Sequence, residues 1–145
     1  MYRASDVMNT SVVTLHQDTS VEEAIRKLLE HQISGIPVVD DEGRLVGIIT
    51  EFQLMEAIYT PEVKQHRVGS LMTKDVLTVG ESAILSDIAN MFVLHRIRRI
   101  PVLRDGRMVG VVARRDLLRY VMETDETLGG FLEDVRSFAG TAAGV

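Results

Sequence analysis

The feature that most constrains this chain is a segment that occurs twice. Residues Ile36–Gln53, IPVVDDEGRLVGIITEFQ, return as Ile100–Asp116, IPVLRDGRMVGVVARRD. Pro37 and Pro101 stand 64 positions apart and Gly47 and Gly110 stand 63 apart, the difference being one extra residue, Glu42, at the turn. Met8 and Met72 are again 64 apart, so the duplication reaches back to the start of the sequence. A chain of 145 residues divided in this way is two tandem units, each with an apolar hairpin at its heart. At that size two fully independent cores are not expected, and pairing the copies face to face covers the sheet face that one copy alone leaves open.

The elements follow from local pattern. Ala4–Met8 and Val68–Met72 read as short helical turns that lead into the strands Val12–Leu15 and Val76–Val79. Val21, Ala24, Ile25, Leu28 and Leu29 fall at helical spacing behind Ser20, with Glu23 three residues on, the form of a capping box. Glu81–Leu94 is the matching helix, with Leu85, Ile88, Ala89 and Phe92 as its apolar side. Ile36-Pro37 and Ile100-Pro101 open strands, since proline suits the first residues of a strand and not its middle. Turns at Asp40–Gly43 and Arg104–Gly106 reverse the chain, the Asp-Gly pair being a strong hairpin signal. The returning strands are Leu45–Thr50 and Met108–Ala113, and helices close the units at Phe52–Ile58 and Asp116–Met122. Each unit is thus β-α-β-β-α, an α/β (α+β) fold of two pseudo-symmetric repeats packed sheet to sheet. The spans are 4–60 and 68–123 with a linker at 61–67, where Pro61 stops the preceding helix. Residues 124–145 have no counterpart; Leu128, Phe131, Leu132, Val135 and Phe138 predict one more helix, followed by a disordered end from Gly140.

Composition removes several functions. There is no cysteine, hence no disulfide framework and no thiolate metal site, and the four histidines lack metal-ligand spacing. No run approaches the ~20 apolar residues of a membrane span, and Met1–Asp6 lacks the apolar segment of a signal peptide. The expectation is a soluble, cytoplasmic protein. A net charge of −5 argues against a nucleic-acid binder. The basic residues are nevertheless gathered: Arg96, Arg98, Arg99, Arg104, Arg107, Arg114 and Arg115 all lie in the second copy, which suits a small anion better than a polymer. No serine has a nucleophile-elbow context and none pairs with a histidine by pattern, so no enzymatic activity is expected.

The duplicated motifs resemble a known family. Val-Met before the first strand, Gly-Ile-Pro-Val-Val-Asp at the second and Gly-Ile-Ile-Thr at the third, all repeated in tandem, are similar to the cystathionine β-synthase (CBS) domain, two of which form a Bateman module. The resemblance covers about residues 4–123, nearly the whole sequence, which reads as a stand-alone module. It implies a regulatory, non-catalytic protein with no required cofactor. Such modules bind an adenosine-containing ligand, AMP, ADP, ATP or S-adenosylmethionine, in clefts between the repeats. It also implies energy sensing through a homodimer whose faces are the helices Phe52–Ile58 and Asp116–Met122, and a regulated protein partner.

The resemblance further implies the site residues. Each cleft of the family uses a Gly-h-x-[Thr/Ser]-x-x-Asp segment, in which the carboxylate accepts from the ribose hydroxyls and the hydroxyl meets phosphate or ribose. Strand backbone holds the adenine, placing Thr14, Ile36 and Pro37 at one cleft and Thr78, Ile100 and Pro101 at the other. This chain departs from the pattern twice. The first copy keeps the hydroxyl at Thr50 and offers Gln53 where the acid is expected; the second keeps Asp116 and has Ala113 for the hydroxyl. A charged acceptor contributes about 1.5–3 kcal/mol per hydrogen bond against about 1 for a neutral one, which favours the Asp116 cleft. There Arg114 or Arg115 supplies the phosphate contact that Ala113 lacks. Arg98 and Arg99 match the basic segment before Ile-Pro-Val in γ subunits of AMP-activated protein kinase and serve phosphate at one cleft or the other. Two simpler readings stand beside these. Asp116 and Thr50 each sit where a strand becomes a helix and suit an N-terminal cap. With both sites degenerate, the chain is instead a ligand-free module that associates through its apolar helices and the 128–138 segment.

Overall fold

The structure, a computed structural model, describes residues Tyr2–Thr124; the helix expected at 128–138 and the end from Gly140 lie outside the described residues. The element order is α1 Ala4–Val7, β1 Leu15–His16, α2 Val21–His31, β2 Gly35–Val39, β3 Leu45–Thr50, α3 Glu51–Ala57, α4 Val68–Leu71, β4 Val79–Gly80, α5 Leu85–His95, β5 Arg99–Arg104, β6 Arg107–Ala113 and α6 Arg114–Glu123. Two three-stranded sheets result, ordered β1-β2-β3 and β4-β5-β6. The mixed α/β class and the two β-α-β-β-α repeats are therefore as the pattern predicts.

The chain divides into two compact units, and the division does not follow the sequence copies. One unit, here the Thr50 unit, holds Val12–Leu77 with Asp105–Met108; the other, the Asp116 unit, holds Thr78–Arg104 and, of the described residues, 2–11 and 109–124. Each copy has given its leader to the other. In the Asp116 unit the Ala4 and Ser5 N–H groups donate to the Ala83 and Glu81 carbonyls at 2.8 and 3.0 Å, and Asn9 exchanges both backbone bonds with Val111 at 2.9 and 3.0 Å. In the Thr50 unit Val68 and Gly69 donate to the Thr19 and Gln17 carbonyls, both at 2.9 Å, and Thr73 exchanges both bonds with Ile48 at 2.9 Å.

The two cores seat equivalent residues. Ala4, Leu85, Ile88, Phe92, Ile100, Val102, Val112 and Tyr120 form one; Leu15, Ala24, Leu28, Ile36, Val38, Ile49 and Val68 form the other. Ala4 and Val68, one from each exchanged leader, are completely buried. Tyr2 adds an edge-on ring contact to Tyr120, with centroids 4.8 Å apart.

Local chemistry sets the boundaries. Ser20 Oγ accepts from the Glu23 N–H at 3.2 Å, so α2 has one arm of the expected capping box. Strands β1 and β4 are shorter than their apolar runs and shifted toward the C-terminus. Only Leu15 and His16 find parallel partners, Val38 and Val39, and only Val79 and Gly80 find Val102 and Leu103. Helix α5 begins at Leu85 rather than Glu81, because residues 81–84 form a turn in which the Glu81 N–H donates to Leu103 O and the Ala83 N–H to Gly80 O. The β5–β6 connection has Asp105 and Gly106 at φ of 51° and 78°, the two left-handed residues of a type I′ turn.

The longer first turn is organised by Asp40. Its carboxylate accepts from the Glu42 and Arg44 N–H groups, both at 2.9 Å, and these bonds, Arg44's first, hold its pKa below the ordinary carboxylate range. A folded-state pKa below the unfolded one gives stability that is present at neutral pH and disappears as pH falls through the folded value. The stability gap between the wild type and Asp40→Asn is therefore expected to be widest near pH 7 and to narrow below about pH 4, read as urea midpoints across the acid range. A gap constant from neutral to strongly acid pH contradicts this.

Candidate functional site

Strand direction gathers the predicted site residues at one end of each sheet. Strands β1 and β2 run parallel and so begin at the same end, while β3 runs back and finishes opposite the start of β2, Thr50 facing Gly35 and Ile49 facing Ile36. Thr14, one residue before β1, Ile36 and Pro37 at the head of β2, and Thr50 at the foot of β3 thus share an edge. The second sheet repeats the plan with Thr78 before β4, Ile100 and Pro101 at the head of β5 and Ala113 at the foot of β6. Ile36, Pro37, Ile100 and Pro101 are buried.

At each edge the strand passes directly into a helix. Thr50 and Ala113 are the N-cap residues, and the side chain three positions on turns back to accept the N-cap N–H: Gln53 Oε1 from Thr50 at 2.7 Å, Asp116 Oδ2 from Ala113 at 2.7 Å. The next N–H is tied to the loop before the sheet's second strand, Glu51 to Ser34 O at 3.0 Å and Arg114 to Arg98 O at 3.2 Å. Asp116 is therefore a cap, as its position allows, but capping engages one carboxylate oxygen only. The other, Oδ1, lies 3.1 Å from the guanidinium of Arg119, a largely exposed side chain, while Asp116 itself is 15% exposed.

Gln53 is held differently. Its Oε1 also accepts from the Thr50 hydroxyl at 2.5 Å, and its amide nitrogen donates to Thr73 Oγ1 at 2.6 Å. The first junction is thus a neutral relay, Thr50 to Gln53 to Thr73, and the second a carboxylate in a basic setting. The Arg98–Arg114 backbone bond brings Arg98 to the same junction as Arg114, Arg115 and Asp116; Arg98, Arg114 and Arg115 are exposed, and Arg99, half-buried, follows at the first position of β5.

Two participants were not read from sequence. Arg119 stands three residues beyond Asp116 on one helix, a spacing at which opposite charges meet. Thr73 lies 20 residues from Gln53 and reaches it only through the exchanged leader, which no local pattern signals. Among the described residues no group of three His, Cys, Asp or Glu side chains is arranged to hold a metal ion, and no helix is long and apolar enough to cross a membrane.

The sequence pattern of the CBS domain matches residues 4–60 and again 68–123. The chain belongs to the CBS domain family. The solved structure of CBSX2 in complex with AMP superposes on it with a TM-score of 0.78 at 29% identity, covering 85% of this chain and 98% of that one. The CBS domain pair of protein MJ0100, in complex with 5′-methylthioadenosine and S-adenosyl-L-methionine, gives 0.73 at 29% identity, with coverage of 85% and 98%. Among curated proteins, the inosine-5′-monophosphate dehydrogenase of Methanocaldococcus jannaschii is 36% identical over 118 residues, 81% of this chain and 23% of that enzyme. The chain spans 41% and 22% of two other curated relatives. Both of these solved structures hold adenosine-type molecules.

Proposed function

We propose that this CBS pair is a regulatory, non-catalytic module that binds an adenosine-containing ligand, AMP, ADP, ATP or S-adenosylmethionine, chiefly at the Asp116 junction. The observation that carries the reading is the Asp116 carboxylate, sheltered at a strand end with one oxygen left to an exposed arginine. A ribose diol offers two hydroxyl donors, and an ionised carboxylate has acceptor positions to spare beyond the Ala113 N–H. Arg98, Arg99, Arg114 and Arg115 supply charge to a ligand's phosphates, and the backbone at Thr78, Ile100 and Pro101 frames a base. The likeness to pairs solved with AMP and with S-adenosyl-L-methionine supports the ligand class. The weaker Thr14, Ile36, Pro37, Thr50 and Gln53 set lies at the corresponding edge of the first sheet.

The ligand acts, in this reading, by shifting the arrangement of a homodimer that controls a partner protein, which requires different affinity for the two arrangements. Calorimetric titration with AMP, ATP and S-adenosylmethionine is expected to give binding by at least one of them. In Asp116→Ala that binding is expected to weaken at least about tenfold, since a hydrogen bond to a charged acceptor contributes about 1.5–3 kcal/mol. No heat from any of the three, or equal affinity in the variant, overturns the proposal.

A second reading, a ligand-free association module, is favoured by the apolar side chains left in solvent at α3 and α6: Phe52 and Met55 on α3 with Ile58 at its C-cap, and Leu118, Val121 and Met122 on α6. It predicts a melting temperature that none of the three ligands moves.

A further inference from the structure

Building on the reading of Asp116 as the acceptor of a ribose diol, we propose that the two junctions differ in kind. The Asp116 junction takes a nucleoside; the Thr50 junction is closed by its own side chains and takes none, so that each chain binds one adenosine-type ligand. The capacity of the acceptor decides it. An amide oxygen has two lone pairs, and Gln53 Oε1 has filled both, with the Thr50 N–H at 2.7 Å and the Thr50 hydroxyl at 2.5 Å. Its nitrogen is also engaged, by Thr73 Oγ1 at 2.6 Å. A diol arriving there finds no free lone pair on Gln53 Oε1, the oxygen that stands where the family has its carboxylate, and displacing the Thr50 N–H strands a half-buried donor.

Asp116 has about four acceptor positions, and the Ala113 N–H and the Arg119 guanidinium use two of them. The missing hydroxyl at Ala113 acquires a meaning here. At the first junction that hydroxyl fills the acceptor, and at the second its absence leaves the carboxylate open. Asn9 stands in the place of Thr73, pairing with Val111 as Thr73 pairs with Ile48, and turns its Oδ1 to the Ser11 N–H at 2.9 Å. The Thr50–Gln53–Thr73 relay thus fastens the head of α3 to the exchanged leader, a structural role in place of a ligand-binding one.

The test is the stoichiometry of AMP on the full chain by isothermal titration calorimetry. The wild type is expected to bind about one AMP per chain, Asp116→Asn none at the same concentrations, Gln53→Asp about two, and the double variant one. Two sites in the wild type, binding within about threefold of wild type in Asp116→Asn, or a Gln53→Asp protein that stays at one site overturns the inference, and the last of these leaves the function proposed above standing. Absence of AMP binding in every variant overturns the inference, and absence of ATP and S-adenosylmethionine binding as well overturns the function proposed above. If circular dichroism shows that Gln53→Asp does not fold, the wild type and Asp116→Asn decide alone: any second site that survives loss of the carboxylate refutes a closed Thr50 junction.

Discussion

Replacing Gly110 by valine is expected to destabilise the Asp116 unit by about 2–4 kcal/mol, and alanine there by about 1–3. A β-carbon at this position falls 2.6 Å from Met8 Sδ, 2.9 Å from Met8 Cγ and 3.0 Å from the Asn9 carbonyl oxygen. The methionine side chain can swing aside, but the carbonyl is pinned by the Val111 N–H that it accepts. Relief therefore requires the leader to leave its strand, and with it go the fully buried Ala4 and the Tyr2 ring against Tyr120. Gly47 is the counterpart, with Met72 Sδ at 2.6 Å and the Thr73 carbonyl oxygen at 2.8 Å. Denaturant midpoints measure the loss, which for a chain of this size is also about 2–4 °C of melting temperature per kcal/mol. Hydrogen exchange places it: Gly110→Ala should expose the Met8, Asn9 and Val111 amides, and Gly47→Ala the Ile48, Met72 and Thr73 amides. Stability within about 0.5 kcal/mol of wild type in both alanine variants contradicts the close-packed leaders.

Leu118→Glu is expected to weaken self-association by about 30- to 1000-fold, the equivalent of about 2–4 kcal/mol for a central apolar anchor. Helix α6 turns Tyr120 into the core and leaves Leu118 66% and Met122 84% exposed, and α3 buries Ala57 while Phe52 stays 71% exposed. In the proposed homodimer, these apolar side chains on the solvent face of two equivalent helices are the surface that the partner copy covers. A second copy of the chain presents the same surface, which suits a closed twofold dimer. Met55→Glu, at the place in α3 that Leu118 holds in α6, should act alike. Sedimentation velocity over a concentration series reads the change. A monomeric wild type, or a dimer that both variants leave intact, contradicts the assignment of these faces.

The hairpins were the most legible part of the fold. β-branched residues flanking Asp-Gly or Asp-Asp-Glu-Gly turns give strands almost without alternative, and β3 occupies Leu45–Thr50 as read. The exchange of leaders was hidden for a physical reason. Ala4 and Val68 fill equivalent seats, and so do Met8 and Met72, so either leader satisfies either copy by pattern and only the path of the chain decides. Strands β1 and β4 were misplaced because apolar character marks burial, while pairing depends on where β2 and β5 lie. At the junctions, Asp116 and Ala113 could be read from a motif. The engagement of Gln53 could not, since its partner Thr73 comes from the exchanged leader.

Backbone amide shifts of isotopically labelled protein during titration with AMP test the central claim most directly. Movement is predicted at Arg98–Ile100 and Ala113–Asp116, the two stretches joined by the Arg98–Arg114 backbone bond, with Thr50–Gln53 and Thr73 left unmoved. Shifts confined to the Thr50 junction, or a spectrum that saturating AMP, ATP and S-adenosylmethionine each leave unchanged, would contradict it.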